Sequence, residues 1–159
     1  MRRATARDAP TLASVYLASW RAGYRGLLPD DVVDAEARKR ASYDWLGATA
    51  RSDRMVAVAH DEGIVGVVEC EHAPPVGGRP WLQRLYVVPE AWGTGAATAL
   101  LDEALGAVDR ARHPTVWLGV VEGQARARRF YERQGWRLDD DMPPGTNGLV
   151  TLLHYRYDL

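Results

Sequence analysis

Leu85-Tyr86-Val87-Val88-Pro89-Glu90-Ala91-Trp92-Gly93-Thr94-Gly95-Ala96-Ala97 decides how this chain is read. A β-branched run, a proline stop, two closely spaced glycines and an alanine-rich start predict a strand, a loop and the first turn of a helix. The first N–H groups of a helix lack intrahelical acceptors and carry the positive end of its dipole, and glycines let an anion come close to the backbone. The segment therefore reads as a cradle for a phosphorylated ligand. The bland alternative is a tight turn with no ligand.

Two commoner phosphate loops make demands that these residues fail. A dinucleotide fingerprint needs a third glycine where Thr98 stands, and a P-loop needs Gly-Lys-Ser/Thr. What remains, Trp92-Gly93-Thr94-Gly95-Ala96-Ala97, resembles the acetyl-CoA loop Gln/Arg-x-x-Gly-x-Gly/Ala of the GCN5-related N-acetyltransferase (GNAT) family. Trp92 departs from the pattern by replacing Gln or Arg, so the backbone from Gly93 to Ala97 carries the expected phosphate contacts. The resemblance names acetyl-CoA as acyl donor.

A second segment agrees. Val120-Val121-Glu122-Gly123-Gln124-Ala125-Arg126-Ala127-Arg128-Arg129-Phe130-Tyr131-Glu132-Arg133-Gln134-Gly135-Trp136 is similar to the family's strand, Asn-x-x-Ala, Phe-Tyr and Gly-Phe signature. Ala127, Phe130, Tyr131 and Gln134 share one helical face, with the charged residues mostly on the others, and Gly135 ends the helix. Phe130 reads as a core anchor. Gln124 stands where the family has Asn, so its amide contact to pantetheine needs a shifted geometry. The resemblance places the Tyr131 hydroxyl near the CoA sulfur, as proton donor to the leaving thiolate, and its ordinary pKa of about 10 suits that role.

The chemistry implied by the resemblance is direct attack of an amine on the thioester within a ternary complex. The amine must lose a proton, the oxyanion needs donors and the thiolate must be neutralised. Backbone N–H groups of Leu85, Tyr86 and Val87 are the implied oxyanion donors, on a strand that also pairs with pantetheine. For the base, strand alternation groups Val67, Glu69 and Glu71 on one face. Glu69 is the first choice, because apolar neighbours raise a carboxyl pKa toward the working range. Glu122, His154 or a water chain are alternatives, as is a solvated or ion-paired role for Glu69. Trp20 and Tyr24, at i and i+4, form either an aromatic wall beside the acceptor or part of the core. The acidic run Asp139 to Asp141 reads as an attractor of a cationic amine or as a surface turn.

With 159 residues, no internal repeat and no linker, the expectation is a single domain over residues 1–159. The 20 basic residues nearly balance the 21 acidic ones, which leaves no electrostatic footprint for nucleic acid or an anionic membrane. Cys70 is the single cysteine, so no intrachain disulfide or multi-cysteine metal site forms, and no metal is expected. A buried, inert thiol is the reading for it. The N-terminus has neither signal-peptide nor membrane-span character, which predicts a cytoplasmic protein. Expected partners are a small-molecule or protein amine, and a homodimer is left open.

Elements follow from pattern. A strand is expected at Arg2–Thr5, helices at Ala9–Ala22 with Asp8 as N-cap and from Pro29 and Asp30 toward Ser42 or Trp45. Strands follow at Met55–His60 and Ile64–His72, joined by the hairpin Asp61-Glu62-Gly63, and at Trp81–Val88. Then come a helix at Gly95–Val108, a strand at Thr115–Val121, a helix at Gln124–Gln134, and strands at Arg137-Leu138 and Leu149–Tyr157. The longest turn-rich stretches are His72–Pro80 and Asp139–Gly148. The unit from Trp81 to Val121 makes its two strands parallel. The expected class is α/β: one domain with a mixed, mostly antiparallel central sheet and helices on both faces. The main function expected is N-acetyl transfer, and the alternatives are a non-catalytic acyl-CoA sensor or a nucleotide binder that imitates the loop.

Overall fold

A computed structural model describes residues 1–60, 63–73, 78–146 and 148–159. In chain order its elements are Arg2–Arg3 (β1), Ala9–Tyr24 (α1), Asp30–Arg40 (α2), Trp45–Ala50 (α3), Arg54–His60 (β2), Ile64–Glu71 (β3) and Trp81–Val87 (β4). They continue with Ala96–Gly106 (α4), Thr115–Val121 (β5), Ala125–Arg133 (α5), Arg137–Leu138 (β6), Gly145–Thr146 (β7) and Thr151–Asp158 (β8). The sheet order is β1-β2-β3-β4-β5-β8-β6, with β7 also on β8, and β4–β5 is its parallel pair. The mixed, largely antiparallel sheet expected from the sequence is therefore present.

Alternation along the strands splits the core in two. Met55, Ala57 and Ala59 of β2 face the same way as Val68 and Cys70, and pack with Leu100, Leu101 and Ala104 of α4. Val56, Val58 and Val67 face the other way, against Leu12, Val15 and Tyr16 of α1, Val33 of α2 and Trp45 of α3. Cys70 is buried among apolar side chains, which push its thiol up to about 12 and keep it inert.

Several boundaries differ from the sequence reading, each for a local reason. The first strand stops at Arg3 because Thr5 opens a short 3₁₀ turn over Ala6–Asp8. Asp8 precedes α1 but does not cap it. Its carboxylate instead accepts from Arg2 at 2.7 Å and from the Thr5 N–H at 2.7 Å. The second helix ends at Arg40, and Asp44 caps a separate helix by accepting from the Gly47 N–H at 2.8 Å. β2 and β3 form the expected antiparallel pair, while Asp61 and Glu62 of the hairpin and 74–77 of the next turn-rich stretch lie outside the described residues. The late turn-rich stretch contributes the short strand β7.

Two features of β4 position everything that follows. Pairing with β5 is confined to Trp81↔Trp117 and Leu82↔Leu118. On its other side, Glu69 opposes Arg84 and Cys70 opposes Leu82, so Gln83 is an extra, bulged residue. Bulges bend and overtwist a strand, and this one lies where β4 leaves β5.

The bulge also sets Arg84 beside Glu69, which is fully buried. The Glu69 carboxylate accepts from Arg54 at 2.6 Å, Arg84 at 2.5 Å and the Tyr43 hydroxyl at 2.7 and 2.8 Å. Burial, and then the bond to Glu69, push the Tyr43 phenol up to about 12, so it remains a donor. The Arg84 guanidinium lies 3.8 Å over the Tyr43 ring. This network ties β2, β3 and β4 to the α2–α3 connection. Removing the anion leaves two guanidiniums facing one another with little solvent. Glu69→Ala is expected to cost about 3 kcal/mol, the low end for a broken buried ion pair because both arginines keep some water. Urea denaturation checks this, and an unchanged midpoint would show that the network carries no stability.

Candidate functional site

Where β4 and β5 separate, a cleft of about 640 Å³ opens between them. Its walls are Leu85, Tyr86 and Val87 of β4, the loop residues Trp92, Gly93 and Gly95, and Ala97 and Thr98 of α4. Opposite stand Gln124, Arg126, Ala127, Phe130 and Tyr131, around and within α5, while Ser19 and Gly23 of α1 close one end. Nearly all the residues singled out on the two motifs thus meet in one place.

The loop has the geometry of an anion cradle. Gly93 and Gly95 have φ values of 81° and 90°, the left-handed region that side chains disfavour, and a Cβ on either would meet nothing within 4 Å. Their glycine character therefore serves backbone conformation and access to the cleft. The N–H groups of Gly93, Gly95, Ala97 and Thr98 find no acceptor among the described residues. Thr94 and Ala96 face away from the cleft: the Thr94 hydroxyl donates to the Ala91 carbonyl at 2.8 Å and accepts from the Ala96 N–H at 3.4 Å. Their part is to shape the loop. Both line a separate hollow on its reverse side, with His60 and Glu90.

Leu85, Tyr86 and Val87 pair with Val68, Val67 and Gly66 of β3 on one edge, and among the described residues no strand pairs with their other edge. That edge offers main-chain groups to an extended ligand. Trp92 is fixed against it, its indole N–H donating to the Val87 carbonyl at 2.8 Å.

Tyr131 stands in the opposite wall with its ring edge-to-face on Phe130 and Trp136, at 5.2 and 5.8 Å between centroids. Its hydroxyl has no hydrogen-bond partner among the described residues, and burial raises its pKa well above the ordinary phenol value. The group remains a proton donor throughout the neutral range. Gln124 lines the cleft as expected, but its amide also donates to the Gly23 carbonyl at 3.2 Å, joining the start of α5 to the end of α1.

Three residues singled out in the sequence stand elsewhere. Trp20 is core, 2% exposed, stacked on Tyr24 at 4.3 Å and covered by the Arg40 guanidinium at 4.4 Å. Neither aromatic lines the cleft; Ser19 and Gly23 do, one residue earlier in each turn, which is a 100° rotation about α1. Glu69 lies outside the cleft with both oxygens held by the arginines and Tyr43, so the apolar surroundings expected for it are absent. In the acidic run, Asp139 is buried and accepts from the Trp117 indole at 2.8 Å, a structural role the surface-turn reading missed.

Two site features had no strong sequence signal. Ser19 is buried, its Oγ without a hydrogen-bond partner among the described residues, and Arg126 lies 3.2 Å over the Trp92 ring. Among the described residues no carboxylate or imidazole lines the cleft, no cluster has the make-up of a metal site, and no helix is long and apolar enough to cross a membrane.

The sequence profile of the acetyltransferase (GNAT) family matches residues 14–136. An uncharacterized N-acetyltransferase of Mycobacterium tuberculosis is 40% identical over 110 residues, 67% of this chain and 66% of that protein, so the match spans just under two-thirds of the relative's length. Another, from Archaeoglobus fulgidus, is 33% identical over 147 residues, 86% of this chain and 92% of the relative. The PaiA N-acetyltransferase of Thermoplasma acidophilum, solved in complex with coenzyme A, has the same fold: the TM-score is 0.81 at 23% identity, over 98% of this chain and 97% of the other. With loop, parted strands and signature helix in place and the family profile spanning most of its length, this chain belongs to the GNAT acetyltransferase family.

Proposed function

We propose that this protein transfers the acetyl group of acetyl-CoA to a primary amine, by direct attack within a ternary complex. One observation carries the reading: an unpaired strand edge, a cradle of free N–H groups and an unpartnered tyrosine hydroxyl all face the same cleft. The pyrophosphate sits on the loop at Gly93–Ala97, and pantetheine extends along Leu85–Val87 as an added strand. A β4 N–H then receives the oxyanion, and Tyr131 protonates the departing thiolate. The amine enters from the α1 end, past Ser19 and Gly23.

Glu69 in this reading holds Arg54 and Arg84, and the amine's proton leaves through water in the open mouth of the cleft. With no carboxylate or imidazole in the described lining, the amine's own ionisation governs its reactivity. A non-catalytic acyl-CoA-binding module is the second reading, favoured by that same lack of an acid or imidazole in the lining. Thiol release from acetyl-CoA, assayed over a panel of primary amines, separates the two: acetyl-CoA binding without turnover would establish the module.

Three outcomes are expected. Gly95→Asp places a carboxylate and a Cβ in the cradle at positive φ. It should abolish the stabilisation of about 2.7 kcal/mol that acetyl-CoA at 100 times its dissociation constant gives the parent; retained stabilisation would remove the loop from the phosphate site. Tyr131→Phe should lower kcat by about 100-fold while leaving acetyl-CoA affinity unchanged, and a full-rate variant would exclude Tyr131 as the acid. Finally, kcat/KM should climb with pH toward the pKa of the amine. An inflection at about pH 6 to 7 that is independent of the amine would reveal a protein base.

A further inference from the structure

Arg126 occupies the first turn of α5, across the cleft from the loop. Its guanidinium lies 3.2 Å over the Trp92 ring, and no carboxylate pairs with it among the described residues. Trp92 is itself anchored, by its indole N–H on the Val87 carbonyl at 2.8 Å, so the platform under the cation is fixed. A guanidinium lying over an aromatic ring still offers its N–H donors, a fork that matches two phosphate oxygens. The loop below supplies only neutral N–H groups, at Gly93, Gly95, Ala97 and Thr98. Charge for a dianionic ligand must come from elsewhere.

We infer that Arg126, held over Trp92, clamps the pyrophosphate of the acyl donor from the α5 side of the cleft. The indole acts as a shelf for the cation and not as a phosphate ligand. An ordering cost that a free arginine would incur on binding is thereby largely met before the ligand arrives. Arg126 is a positioning residue for the donor and touches no reacting atom. The inference rests on the acetyl-CoA reading of the cleft.

Isothermal titration with acetyl-CoA and with its 3′-dephospho analogue, on the parent, Arg126→Ala, Arg126→Lys and Arg129→Ala, tests it. Arg129 lies on the exposed side of α5 outside the cleft, so its removal changes net charge equally without touching the site. Arg126→Ala should weaken both ligands by about tenfold or more and to the same extent, Arg126→Lys should recover only part of the loss, and Arg129→Ala should bind as the parent does. Turnover with S-acetylpantetheine, which has no pyrophosphate, should be the same in Arg129→Ala as in the parent. Equal affinity of parent and Arg126→Ala for acetyl-CoA overturns the inference and leaves the acetyl-CoA reading standing. A loss confined to acetyl-CoA, with the dephospho analogue unaffected, overturns it too, by moving the contact to the 3′-phosphate. So does a matching loss in Arg129→Ala, which would make the effect one of bulk charge. If the parent binds neither ligand, the acetyl-CoA reading itself fails and takes the clamp with it.

Discussion

Two parallel strands that pair over only two residues govern this molecule. Once β4 leaves β5 after Leu82, its outer edge over Leu85–Val87 has main-chain groups and no strand to satisfy them. Buried backbone groups are rarely left unpaired in folded proteins, so an edge of this kind, inside a mixed sheet, is a place for a ligand's own amides. The bulge at Gln83 bends β4 at the point of departure, and the crossover through α4 returns the chain to the far side of the gap. Loop, α4 and α5 then meet around the opening because both helices start at the ends of the parting strands.

An opened sheet needs support from the strands that remain joined. On the α1–α3 face the Glu69 network fastens β2, β3 and β4 together directly behind the bulge, with Tyr43 and Arg84 stacked over it. A buried carboxylate with two guanidiniums is justified less by net stability than by what it specifies, since such groups are satisfied in only one arrangement. Here that arrangement holds the bulged register in which Arg84 opposes Glu69.

Charge is distributed accordingly. The described lining of the cleft holds Arg126 and Arg133 and no acid, although the chain as a whole is nearly neutral. Its apolar walls keep Tyr131 and Tyr86 protonated by burial. Two cations and no anion in that lining give the cleft a positive local field within a nearly neutral chain.

The sequence by itself determined the elements that rest on local signals. The Gly93–Ala97 loop, the α5 periodicity with Gly135 at φ 86° and the alternation of β2 and β3 were all legible, and with them the family. These depend on near neighbours in the chain: backbone freedom at glycine, helix period and strand period. Tertiary structure alone decided the rest. Whether Trp20 or Ser19 faced the cleft turned on 100° of rotation about α1, which the packing of Trp20 under Arg40 settled. Whether Glu69 was a base or an anchor turned on Arg54, Arg84 and Tyr43, which lie 15, 15 and 26 residues away in the chain. Arg126 looked like one more solvated arginine on a charged helix until Trp92, from another element, was found beneath it. A residue's partners across space set its role at each of these positions, and no local pattern encodes them.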